Sequence, residues 1–171
     1  MMRKFSELKP LTEEQERFVD ENMYEWGAWI RSGRIDKSPL NIIAKLMQSA
    51  IPAEPGERMC DDEKGMMISQ VIEQFFLKND RLLHFIIFSY YVNKRTVNFI
   101  AVKLRDNCGA YLNAARVPGK SNIRVPSQQT MRRKVEKELI LAKAIIHELL
   151  VTCLVWLRTG GEKAKSIKIS Y

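Results

Sequence analysis

From Ser127 onward, Met131, Val135, Leu139, Ala142, Ile146, Leu149, Cys153 and Leu157 recur every three or four residues without a break. That period lays them along one stripe of an α-helix. Pro126-Ser127 starts the helix and Gly160-Gly161 ends it. About 31 residues at about 1.5 Å each make a rod near 46 Å long. An apolar stripe of that length must be covered by other elements of the same period. With 46% hydrophobic residues in 171, the chain can bury a core of ordinary domain size.

The remaining signals are helical too, so the fold class expected is all-α. Thr12-Glu13-Glu14-Gln15 has the form of a capping box. Phe18, Val19, Met23, Trp26, Trp29 and Ile30 follow at helical spacing, and Gly33 offers a stop. Ser38-Pro39 opens a short helix to about Gln48. Residues 51–60 hold two prolines and a glycine and form a loop. Asp61 and Asp62 favour the next start, ahead of a wide apolar face that includes Met67, Ile68, Val71, Ile72, Phe75 and Phe76. Asp80 caps the stretch to Val92. It is apolar on nearly every side, which also suits a strand, but no partner strand is evident, so a buried helix is expected. Asn93 suits a left-handed turn, and Thr96 caps a short helix to about Arg105. Residues 106–126 read as a long cationic loop. The organisation expected is one compact unit: an N-terminal helical part over 1–79, a helix-turn-helix part over 80–158, and a loose basic tail over 159–171.

Charge locates function better than composition does. Residues 1–102 carry 14 Lys/Arg against 15 Asp/Glu, and residues 138–171 carry five against three. Residues 103–137 carry nine basic residues against Asp106 and Glu136. A basic window inside a neutral protein suits a polyanion-binding face, although it also suits a solubilising surface. The longest uncharged runs, from Leu82 and from Leu149, are too short for a membrane span, and the first residues do not read as a secretory signal. A cytoplasmic protein is expected. Cys60, Cys108 and Cys153 lie far apart and, with His84 and His147, reach no zinc-like spacing. No metal or cofactor is expected.

The short helix from Thr96, with Val97, Ile100, Ala101 and Leu104 inward, precedes a helix that opens Gln128, Gln129, Thr130, Met131, Arg132, Arg133, Lys134. Support helix, connection and recognition helix in that order are the grammar of a helix-turn-helix. With Met131 at zero and about 100° per residue, Gln129, Arg133 and Lys137 fall near 160°, 200° and 240°, away from the core. Glutamine suits the adenine edge and arginine the guanine edge in the major groove. Gln129, Thr130 and Arg133 are therefore expected at bases, with Arg132, Lys134 and Lys137 at phosphates. Gln128 lies nearer the apolar face, in the same DNA-reading segment, and supports the turn. Lys103, Arg105, Arg116, Lys120 and Arg124 form a second set for phosphate or RNA.

The segments "YYVNKRTVNFIAVKL" and "VPSQQTMRRKVEKELILAKAIIHELL" resemble the sigma-region-4-type helix-turn-helix of the Q antiterminators of lambdoid phages. Glu25-Trp26-Gly27-Ala28-Trp29, and the run from Met59 and Cys60 through Asp61, Asp62 and Gly65 to Met66, are similar to the same family in the same order. The resemblance implies a protein that binds duplex DNA overlapping a late promoter. It also implies that the protein engages paused RNA polymerase with its sigma factor and makes it read through terminators, with nascent RNA nearby. By this carry-over, Gln128 to Lys134 form the DNA-reading segment. The 106–126 loop is longer than the tight turn of that motif. The cysteines needed for the zinc-binding insertion of the lambda-type branch are missing. The metal-free, phage 21-like branch is therefore implied, in which the protein narrows the RNA exit channel.

Two other readings remain at this point. One is a repressor or sigma-like initiation regulator with the same motif, and the other a helical adaptor that docks an acidic protein without binding DNA. Trp26 and Trp29 read as core, Cys60 as structural and His84 as packed. No nucleophile triad, phosphate loop or convergent carboxylate pair stands in the chain, and no enzyme is expected.

Overall fold

The computed structural model describes residues 10–32, 55–108, 111–112 and 123–158. In chain order these form α1 (Glu13–Arg31), α2 (Asp62–Ile72), α3 (Arg81–Ile87), α4 (Val97–Cys108), a strand pair (Tyr111–Leu112 with Ile123–Arg124) and α5 (Gln128–Arg158). π-helical segments prolong α2 through Glu73–Leu77 and α3 through Phe88–Val92. The architecture is all-α, and α5 is its longest element, with 31 residues. The helix expected from Ser38 to Gln48, the stops at Gly33 and Gly160-Gly161, and the tail over 159–171 lie outside the described residues.

Local capping sets the helix starts. Thr12 Oγ1 accepts from the Gln15 N–H at 3.3 Å, and the Gln15 side chain accepts from the Thr12 N–H at 2.9 Å. Asp61 accepts from the Lys64 N–H at 2.8 Å, and Asp80 from the Leu82 and Leu83 N–H groups, both at 3.0 Å. Thr96 and Ser127 do the same for Phe99 and Thr130 at 3.3 and 3.1 Å. Each bond satisfies a donor that the first turn would otherwise leave unpaired.

The two short motifs of the N-terminal half interlock. Trp26 and Trp29 are 2% and 1% exposed, so they are core rather than a docking surface. Trp26 Nε1 donates to Ser69 Oγ at 2.9 Å and Trp29 Nε1 to Asp62 at 2.8 Å. Gly65 lies flat against the Trp29 ring, and Gly27 against the backbone of Tyr91. Glu25 pairs with Lys64 at 2.9 Å and with Arg58 at 2.6 Å. Cys60 is buried at this join, and burial pushes its thiol up to about 11. The thiol is accordingly a packed group and a poor nucleophile.

The apolar stretch after Asp80 is a buried helix, as its pattern predicts. Leu83, Ile86, Ile87, Tyr91 and Val92 all face the core. His84 is buried and stacked on Phe88 at 6.2 Å, and burial lowers its pKa below the ordinary histidine value. Tyr91 donates to Asp20 Oδ1 at 2.6 Å, and Lys143 Nζ donates to Asp20 Oδ2 at 2.8 Å. Burial and the Asp20 carboxylate hold the Tyr91 phenol far above its usual range. One carboxylate thus ties α1, the end of α3 and α5 together. Phe18 meets His147 edge-on at 6.0 Å, so α1 and α5 run antiparallel.

The chain differs from expectation in three places. The left-handed turn residue is Lys94, with φ of 49°, whereas Asn93 has φ of −87° and closes the π-helical end. Helix α4 runs to Cys108, past Arg105. Within 106–126, Tyr111 pairs with Arg124 and Leu112 with Ile123 in an antiparallel ladder, so the expected loop is pinched into a hairpin-like base. Too short to show an alternating pattern, these strands give no sequence signal.

Candidate nucleic-acid interface

Helices α4 and α5 form the site. Ile100 and Ala101 of α4 and Met131, Val135 and Leu139 of α5 are buried in the shared core. Across the join, Gln128 Nε2 donates to Asn98 Oδ1 at 2.9 Å. That bond ties the first turn of α5 to the first turn of α4, and Gln128 is itself exposed. Ser127 and Thr130 share a second bond, between their hydroxyls, at 2.8 Å.

With Met131 and Val135 turned inward, the opposite side of the same turns faces solvent. Gln129, Thr130, Arg132, Arg133, Lys134 and Lys137 are all exposed. Arg132 pairs with Glu136 one turn on at 2.9 Å. A surface pair of this kind contributes only about 0.3–0.5 kcal/mol and yields readily to a phosphate. Positive charge in the first turn opposes the helix macrodipole, a cost of about 0.3–1 kcal/mol per residue. A bound polyanion reverses the sign of that term.

Of the second set of cations, Lys103 and Arg105 share helix α4. Lys103 is exposed on α4. Arg105 is half-buried, with Nε inside and without a hydrogen-bond partner. Arg124 stands on the strand pair, and Arg116 and Lys120 lie outside the described residues. Lys94 and Arg95, in the turn into α4, are exposed and lie outside the basic window that starts at residue 103. Arg95 lies over the Phe99 ring at 4.7 Å, and Phe99 is 46% exposed. The run Asn93-Lys94-Arg95-Thr96 between two helices was the available signal.

The surface along α1 is acidic. An open groove of about 620 Å³ along α1 is lined by Glu13, Glu16, Asp20, Glu21, Glu25 and Glu57, with Arg17 and Arg58 among them. Among the described residues no group of three His, Cys, Asp or Glu is placed to hold a metal ion. No described helix is long and apolar enough to cross a membrane.

A family model for phage antitermination protein Q matches residues 16–117, more than half of the chain. The chain belongs to the phage antitermination protein Q family. That match takes in the tryptophan motif, the aspartate motif and the support helix. Solved Q structures match a larger share of the chain. The transcription antitermination factor Q of bacteriophage 21 is 29% identical with a TM-score of 0.75, covering 88% of this chain and 99% of its own. The same factor in complex with its binding-element DNA is 31% identical with a TM-score of 0.73, covering 89% and 99%. A crystal structure of the bacteriophage 21 Q protein gives 29% and 0.71, covering 88% and 99%. Among curated proteins none matches. Gly27 and Gly65 of this chain each let two helices approach closely.

Proposed function

We propose that this chain is a transcription antitermination factor that binds duplex DNA near a late promoter through the first turns of α5. It engages paused RNA polymerase with its sigma factor in the cytoplasm of a bacterial host. It carries the polymerase through pauses and terminators, narrowing the RNA exit channel without a metal. Gln129, Thr130 and Arg133 approach base edges, while Arg132, Lys134 and Lys137 neutralise phosphates. Gln128 positions the helix from Asn98. Lys103, Arg105, Arg116, Lys120 and Arg124 are left for flanking phosphates or nascent RNA.

The observation that carries this reading is the exposed, capped N-terminus of α5, docked on α4 with glutamine and arginine facing out. Family membership and the DNA complex of the phage 21 relative support it. Purified chain should bind duplex DNA with log K falling by about 0.9 per log unit of salt for each phosphate neutralised. Arg133→Ala should cost about 1–3 kcal/mol and relax preference at one base pair. Weak, salt-independent binding would leave the helical adaptor as the better reading. The deciding assay is transcription by purified polymerase from a late-promoter template carrying a downstream terminator. Binding without read-through would favour a repressor or sigma-like regulator.

A further inference from the structure

Beside the α4–α5 face lies a cavity of about 480 Å³ lined by Tyr24, Tyr90, Lys94, Arg95, Thr96 and Val97. Sites for small ligands span about 300–1,000 Å³. Two departures from regular backbone converge on it. Tyr90 belongs to the π-helical segment, and such segments gather at functional sites. Lys94 takes a positive φ that L-residues rarely adopt. The floor is aromatic: the Tyr24 and Tyr90 rings stand 6.2 Å apart at 40°, and Tyr24 is 38% exposed. The rim is cationic. Arg95 is exposed, with no acidic partner among the described residues. Lys94 Nζ pairs with Glu57 at 2.8 Å and keeps donors to spare. Thr96 Oγ1 accepts from the Phe99 N–H, which leaves its own hydroxyl proton to donate.

We propose that this cavity binds one unpaired nucleotide of a single-stranded nucleic acid, the base on Tyr24 and Tyr90 and the phosphate on Lys94 and Arg95. An aromatic platform beside cations is the chemistry that holds unstacked bases. A duplex keeps its bases inside the stack and has nothing to lay on the tyrosines. The phosphate lies toward Arg95, because on the Tyr24 side Glu57 already holds Lys94 and Glu21 adds further negative charge. The site stands independently of the duplex-reading face of α5.

The test is fluorescence anisotropy of the full chain with short labelled oligouridylate and oligothymidylate, beside a labelled duplex. Tyr24→Ala and Arg95→Glu should each weaken single-strand binding at least about tenfold, the range expected for a lost stack or phosphate contact. Tyr24→Phe should bind like the parent, and Arg133→Ala should leave single-strand affinity unchanged. Tighter binding of oligouridylate makes RNA the source, and tighter binding of oligothymidylate makes it a DNA strand; both support the site. The proposal is overturned if neither strand binds, if the cavity variants bind as the parent does, or if only Arg133→Ala loses binding. Should Tyr24→Ala fail to fold by circular dichroism, Arg95→Glu at an exposed position still decides. Failure of duplex binding alone would count against the proposed function and leave this site standing.

Discussion

Two glycines show how far single atoms govern this fold. Alanine is favoured over glycine in a helix by about 0.8–1.0 kcal/mol, so Gly27→Ala and Gly65→Ala would stabilise an isolated helix. In the folded chain a Cβ at Gly27 would stand 2.3 Å from the Tyr91 carbonyl oxygen, a backbone atom with nowhere to go. At Gly65 it would stand 2.4 Å from the Trp29 ring, which its bond to Asp62 holds in place. Overpacking of this kind costs about 1–3 kcal/mol, which exceeds the helix gain. Both variants should therefore unfold at lower urea than the parent, Gly27→Ala by more. A midpoint at or above the parent's for either would mean that α1 can part from its neighbours at little cost. The tryptophans were legible as core because their spacing matches the helix period. The glycines were legible only as motif letters, since their role lies in chain tens of residues away.

At the scale of elements, the least legible residue is Arg31. A basic residue in the last turn of an amphipathic helix reads as an ordinary partner of the macrodipole. Here its side chain is only 1% exposed. It donates to the Val92 carbonyl at 2.6 Å and to Tyr91 at 3.4 Å, and it pairs with Glu57, which also holds Lys94. One arginine thus satisfies the π-helical end and steadies the turn into α4. Arg31→Met should destabilise the chain by on the order of 3 kcal/mol, because it strips the buried carbonyls of their donor and leaves Glu57 with Lys94 alone. The loss should be local first: amides at residues 93–96 should exchange faster than those of α5, by hydrogen exchange. Uniform acceleration across both helices would show that Arg31 serves general stability and has no special hold on the turn. The contrast with the caps is instructive. Thr12, Asp61, Asp80, Thr96 and Ser127 act within three residues, so their helix starts could be read directly. The π-helical segments, the shift of the left-handed residue to Lys94 and the strand pair depend on tertiary partners, and no local pattern announces them.

For the whole molecule, the antiparallel pairing of α1 and α5 separates charge. Asp20 meets Lys143, ten residues along α5 from Arg133, or about 15 Å at about 1.5 Å per residue. Glu13 and Glu16 lie on the preceding turns of α1, farther still from the recognition end. Glu13 and Glu16 therefore act on a duplex seated on Gln129 and Arg133 through the field rather than by contact. The Debye length is about 30 Å at 0.01 M salt and about 8 Å at 0.15 M, so the repulsion should be felt in the first case and screened in the second. Replacing Glu13, Glu16 and Glu21 by glutamine should raise duplex affinity several-fold at the low salt and leave it unchanged at the high. Base preference should stay constant throughout, since no replaced group reaches a base edge. Arg133→Ala behaves oppositely, losing discrimination at both salts. A triple variant that gained affinity equally at both salts would place the groove against the DNA. The duplex would then lie across α1 rather than on the first turns of α5, and the recognition face would have to be redrawn.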